Sequence, residues 1–146
     1  MRRRDERGST IPLIVGLATV LLMGTALVIN ASAAYLQRQS LDTLADGAAL
    51  RGADLGAAGV YGEGLSVERL LQEKGAVEKV VVAYLQSVGA NKTYPGLEVD
   101  ARVNFTDRSV TVTLSAPVDL PMHIPGSPSQ PVVGASSTAA VTIQGP

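Results

Sequence analysis

The sequence contains no cysteine and no tryptophan, one histidine, one phenylalanine and four tyrosines. Without thiols there is no disulfide framework, no thiolate nucleophile and no cysteine-ligated metal, and a single imidazole builds neither a zinc site nor a histidine-based acid–base pair. Catalytic chemistry is scarce from the outset, and neither a metal nor a cofactor is expected. With so few aromatic rings, burial must come from Val, Leu, Ile and Ala, a modest core for a chain of 146 residues, about one domain long. Charge is thin as well. Charged residues make up 17% of the chain, the formal net charge is −1, and no run of Lys and Arg lies beyond the first seven residues. That removes the basic footprint of a nucleic-acid binder, while a 46% apolar content removes a disordered chain.

What the chain does have is a long uncharged run. No charge falls between Arg7 and Arg38, and from Ile11 to Ile29 the only polar side chains are Thr19 and Thr25. As a helix this run spans about 28 Å, close to the hydrocarbon thickness of a bilayer. Arg2, Arg3, Arg4 and Arg7 precede it, beside Asp5 and Glu6, so the positive-inside rule sets the N-terminus in the cytoplasm and the rest outside. Ser9 or Thr10 can cap the helix, and Pro12 fits its first turn. The expected partner is the lipid bilayer, crossed once. A second reading of the same stretch is a cleaved secretory signal, with Ala31-Ser32-Ala33 before Ala34 as an A-x-A site. Against it, the apolar run is longer than such signals use and the helical pattern continues past the cleavage point. The RRRDE start also lacks the apolar residues expected after a twin-arginine pair.

From Tyr35 to Leu55 the pattern turns amphipathic: Leu41, Leu44, Ala45, Ala48 and Ala49 follow 3–4 spacing, and Arg38, Asp42, Asp46 and Arg51 fall largely elsewhere. No breaker separates Ile29 from Asp46, so one continuous helix is expected from near residue 10 into the low 50s, roughly 60 Å long. Its stripe Gly16, Thr19, Met23, Ala26, Asn30, Ala33 and Gln37 is small or polar. Such stripes let helices approach closely in lipid and hydrogen-bond across the contact, although small residues are also simply common in membrane helices. Asn30 is expected at the membrane surface, within reach of water, and is no sign of an ion pathway.

Gly52, Gly56, Gly59, Gly62 and Gly64 read as a flexible connection, since a phosphate-cradling loop would need a preceding strand and a G-x-G-x-x-G or GK[ST] signature. Ser66 is a good N-cap for a second helix over 67–88, with Glu68 in its first turn and Gly89 to end it. Its apolar face is Val67, Leu70, Leu71, Val77, Val81, Tyr84, Leu85 and Val88, and Lys74 pairs with Glu78 at i,i+4. Two alternating runs follow, Leu97 to Phe105 and Val110 to Ala116, separated by Thr106-Asp107-Arg108-Ser109: a β-hairpin with one wet face. A loop carrying Pro117, Pro121, Pro125, Pro128 and Pro131 leads to a weaker third strand, Val133 to Ile143, dominated by Ser and Ala.

The expected fold is therefore α+β, with a long membrane-spanning N-terminal helix that extends outward. Beyond it comes a small domain of one helix packed on a three-stranded antiparallel sheet. The chain divides as a basic cytoplasmic N-terminus 1–8, a transmembrane helix 9–34, an extracytoplasmic extension 35–55, a Gly-rich linker 56–65 and an extracytoplasmic domain 66–146. About eighty residues supply only a few kcal/mol of core stability, so support from the membrane helix or a partner is expected.

Candidate chemistry is sparse. Asp42 and Asp46 lie one helical turn apart, but no His or nucleophile accompanies them, so a solvated face or a contact to a neighbouring subunit is the better reading. His123 stands alone in the Pro-rich loop. Asn30-Ala31-Ser32, Asn91-Lys92-Thr93 and Asn104-Phe105-Thr106 match glycosylation acceptors, which are frequent by chance.

Arg7-Gly8-Ser9 before the span, Tyr35-Leu36-Gln37-Arg38, and then Leu41-Asp42-x-x-Ala45-Asp46-x-Ala48-Ala49-Leu50-x-Gly52-Ala53 resemble the TadE/TadG-like proteins of the Flp (Tad) pilus assembly system, particularly the short actinobacterial type. Val110 to Val118 and Leu120-Pro121 are similar to the C-terminal region of that family. The resemblance implies a non-enzymatic minor pilin or pseudopilin-like component of the bacterial cell surface, partnered by other pilus subunits and used in adhesion. It implies no nucleic acid and no small-molecule substrate. The implied helix-packing interface comprises the small-residue stripe with Asp42 and Asp46. Pilins cut by prepilin peptidase usually carry Glu five residues after the cleavage point, whereas cleavage between Gly8 and Ser9 would leave Leu13 there. That departure favours a full-length membrane protein. The alternative is a soluble binding protein released by cleavage between Ala33 and Ala34.

Overall fold

The computed structural model describes residues 10–59, 67–104, 106–124, 126–128 and 130–140, with the side chains of 55–59 and 67–73 not among them. The readings made above at residues 1–9, Leu70, Leu71, Gly62, Gly64, Ser66, Phe105, Pro125 and Ile143 lie outside what is described.

Helix α1 runs unbroken over Thr10–Gly59, about 75 Å at 1.5 Å per residue. The only proline within it is Pro12, in the first turn, where no intrahelical N–H is lost. The expected connection begins later than the glycine pattern implies, because Gly52, Gly56 and Gly59 all lie inside the helix. Helix α2 (Val67–Ser87) follows, then one turn of α3 (Ala90–Thr93) that the periodicity did not signal. Gly89 joins them at φ 71°, its N–H bonded to the Gln86 carbonyl (3.0 Å), a left-handed position that glycine adopts without steric cost. Val88, expected on the apolar face of α2, is instead past its end and exposed.

Strands β1 (Glu98–Asn104), β2 (Ser109–Pro117) and β3 (Val132–Ala140) form an antiparallel meander in the order β1-β2-β3. Registers run from Glu98 opposite Ser115 to Asn104 opposite Ser109, and from Ser109 opposite Ala140 to Pro117 opposite Val132. At the hairpin, Asn104 Oδ1 accepts the N–H groups of Thr106 (3.0 Å) and Asp107 (3.3 Å), and Arg108 takes φ 48°. An asparagine side chain thus mimics a backbone turn.

Both long helices lie on one face of the sheet, α1 across β2 and β3 and α2 beside it against β1. The core brings Leu41, Ala45, Ala48, Ala49 and Ala53 of α1 together with Val77, Val81 and Leu85 of α2. From the sheet come Val110, Val112, Leu114, Ala116, Ala101, Ala135 and Ala139. Segments 35–55 and 66–146 therefore share one core, and the upper part of α1 is its spine. The alanines explain how so aromatic-poor a chain builds this core: they let a helix lie close to the sheet, and dispersion contacts depend on that closeness.

Two glycines of α1 serve the same end. A Cβ on Gly47 would run into the Tyr84 ring, and one on Gly52 would lie 3.0 Å from Val110 Cγ1 and 3.2 Å from Val77 Cγ1. The weaker third strand is explained in the same way. Its Ala135 and Ala139 are buried in the core, while Ser136 and Thr138 point outward and hydrogen-bond to Thr113 (3.0 Å) and Thr111 (2.8 Å) on β2. Such cross-strand hydroxyl pairs stabilise the sheet by about 0.2–1 kcal/mol each.

Candidate functional site

The candidate site is the surface of α1 and what lies against it. From Thr10 to Thr25 every residue is exposed, including Ile11, Leu13, Ile14, Val15, Leu17, Val20, Leu21 and Leu22. The rest of the described chain leaves this stretch uncovered, unlike the core helix of a globular domain, and so continuous an apolar surface favours a nonaqueous environment. The helix is long and apolar enough to cross a membrane once. Its hydroxyls are satisfied within it: Thr19 Oγ1 donates to the Val15 carbonyl (2.8 Å) and Thr25 Oγ1 to the Leu21 carbonyl (2.9 Å). Bonding of this kind lets a polar residue sit in hydrocarbon. It also uses the Thr19 proton that the stripe reading had directed at a neighbouring helix.

Along the stripe, the structure separates two halves. Gly16, Thr19 and Met23 are exposed, and a Cβ added at Gly16 would meet nothing within 4 Å. Ala26 and Asn30, by contrast, are only 8% and 7% exposed. Asn30 does not reach outward to water as expected. Its Nδ2 donates to the Met122 carbonyl (2.7 Å) and its Oδ1 accepts the Met122 N–H (3.0 Å). One amide side chain therefore pairs with the backbone as a neighbouring strand would, 92 residues away in sequence. Two turns higher, Gln37 Nε2 donates to the Pro117 carbonyl (2.9 Å), and Ala33 between them is half-buried. Asn30 and Gln37, the polar members of the upper stripe, thus hold the chain's own Pro-rich loop.

That loop leaves β2 at Val118, whose N–H bonds the Pro131 carbonyl (2.8 Å) at the loop base. From Gln37 to Asn30 it descends about 10 Å along α1. Its tip turns over Gly126, at φ 87°, with the Ser127 N–H on the Ile124 carbonyl (3.0 Å). His123 is exposed beside Met122. The sequence signal for this arrangement was present, in two amides on one helical stripe and a loop of unpaired backbone, but nothing in the pattern links the two.

Asp42 and Asp46 are exposed on α1, off the buried stripe. Among the described residues, no three metal-ligating side chains come together. Ala33 and Ala34, the alternative cleavage position, lie in the middle of the unbroken helix.

These features define a class: a small α/β head built on the upper half of a helix whose lower half is of membrane-spanning length and composition. Residues 8–58 match the family model of putative Flp pilus-assembly TadE/G-like proteins, and the similarity is confined to that stretch. No curated protein and no solved structure shows a significant match to the chain.

Proposed function

We propose that this protein is a membrane-anchored minor pilin or pseudopilin-like component of Flp (Tad) pilus assembly, acting through helix and head contacts rather than catalysis. The observation that carries this reading is coincidence of extent. The pilus-assembly match covers residues 8–58, and α1 over Thr10–Gly59 is both the apolar span and the spine of the head. In this reading the N-terminus is cytoplasmic and the head extracytoplasmic, as the basic flank Arg2, Arg3, Arg4 and Arg7 directs. Contacts to other subunits use the exposed lower stripe of Gly16, Thr19 and Met23 within the bilayer and the exposed Asp42 and Asp46 above it.

Retention of the anchor is favoured over release after Ala33, because cleavage there would remove Asn30 from its bonds to Met122. The intact mass of the protein recovered from membranes separates a full-length chain from starts at Ser9 or Ala34. The interface is tested by replacing both acids, Asp42→Asn with Asp46→Asn. Co-purification with other pilus components is expected to weaken; unchanged co-purification and piliation would sink the assignment.

A further inference from the structure

The Pro-rich loop raises a question of depth. A bilayer's hydrocarbon core takes about 20 helical residues, which places its outer boundary near Asn30 when the span begins at Ile11. Met122 is hydrogen-bonded to Asn30 through both backbone groups, so it stands at that same level. The surrounding chemistry suits the boundary. From Leu120 to Pro131 no residue is acidic or basic except His123, and Met122 is 41% exposed with Leu120 and Ile124 half-buried beside it. On α1, one to two turns above Asn30, Tyr35 and Leu36 are exposed, and tyrosine is enriched at membrane surfaces. An exposed methionine at this depth has acyl chains or headgroups as its neighbours.

We propose that residues 120–124 of the Pro-rich loop are a second membrane contact, resting in the outer interfacial layer of the bilayer. The Asn30–Met122 bonds set the loop's depth, so the head sits on the lipid surface at a fixed height instead of standing off on a free helix. The occupant of this surface is lipid, argued from the loop's attachment to the boundary residue of the span and from the uncharged sequence around Met122. The proposal rests on α1 being the membrane anchor.

The chain has no tryptophan, so each introduced one reports alone. Full-length Met122→Trp and Ile124→Trp are reconstituted in phosphatidylcholine–phosphatidylglycerol vesicles. The lipids are brominated either near the headgroup end or near the methyl end of the acyl chain. Leu21→Trp reports the span and Thr113→Trp the outer sheet face. Substitution at Met122 leaves its backbone bonds to Asn30 in place. Blue-shifted emission from the two loop positions, quenched more by shallow than by deep bromines while Thr113→Trp is quenched by neither, supports the proposal. Loop tryptophans that behave like Thr113→Trp and are open to acrylamide, with Leu21→Trp still quenched, overturn it and leave the anchor standing. Loop tryptophans shielded from acrylamide yet untouched by either bromine lie under protein, which also overturns it. An unquenched Leu21→Trp overturns both the proposal and the anchor reading.

Discussion

Asn30 shows how much one side chain can hold when its partners are backbone groups. Its amide satisfies a donor and an acceptor of Met122 at once, and losing it leaves two polar groups unpaired in a part-buried site. Such groups cost about 1–3 kcal/mol each when buried without a partner. Asn30→Ala is therefore expected to speed hydrogen exchange at the Met122 amide and to lower head stability by about that amount for the pair, since part of the loop can rehydrate. Unchanged exchange would mean the loop is held by other contacts. At this scale the sequence was partly legible. The amphipathic pattern marked Leu41, Leu44, Ala45, Ala48 and Ala49; Leu44 is half-buried at the edge of the core and the other four are fully buried. The roles of Asn30 and Gln37 were not legible, because a stripe of small and polar residues looks the same whether a second helix or a loop of the same chain lies on it.

Among the elements, the helices divide their glycines into two kinds. In α2, Gly75 has open space where a Cβ would stand, so Gly75→Ala gains helix propensity without a clash and is expected to raise stability by about 0.5–1 kcal/mol. Gly52 of α1 faces the branched tips of Val110 and Val77. There the same propensity gain is opposed by overpacking, which costs typically about 1–3 kcal/mol, so Gly52→Ala is expected to destabilise. Denaturant titration of the two variants side by side reads the opposite signs. The glycine run from Gly52 to Gly64 suggested a hinge from composition alone. Only the approach of the sheet and α2 distinguishes a glycine needed for room from one needed for freedom. The strands were more legible, since period-2 alternation fixed β1 and β2 to within a residue or two. Their third partner was faint because its buried positions are the small Ala135 and Ala139, set by a close helix, and its outward face carries Ser136 and Thr138 in a polar ladder.

For the whole molecule, the apolar span and the head are not separable at the boundary that composition marks. The core needs Leu41 to Ala53 of α1 as much as it needs the sheet. A fragment beginning at Ala34 retains that spine and is expected to unfold cooperatively, with the Asn30 hold on the loop and the burial of Ala26 lost. A fragment beginning at Val67 keeps α2 and all three strands but exposes the inner face of β2 and β3, and is expected to be molten or insoluble. Circular dichroism melts of the two fragments check this; cooperative folding of the shorter one would show that the head does not depend on α1.

What the sequence determined by itself was everything carried by local periodicity or by a long run. The apolar span follows from an uninterrupted run, and its continuation as one helix, the second helix, the hairpin and the α+β class from repeats of 3.6 or 2 residues, because an element's burial pattern is written along its own stretch of chain. Resemblance to TadE/TadG-like proteins rested on the N-terminal stretch and on Val110 to Pro121; the family match falls on the first, at residues 8–58, and does not extend to the second. The tertiary structure alone decided which surface α1 gives to its own head and which it leaves free, and it joined Asn30 to Met122 and Gly52 to Val110. Those pairings link residues far apart in sequence, and no periodicity within one element encodes a contact whose other half lies in another.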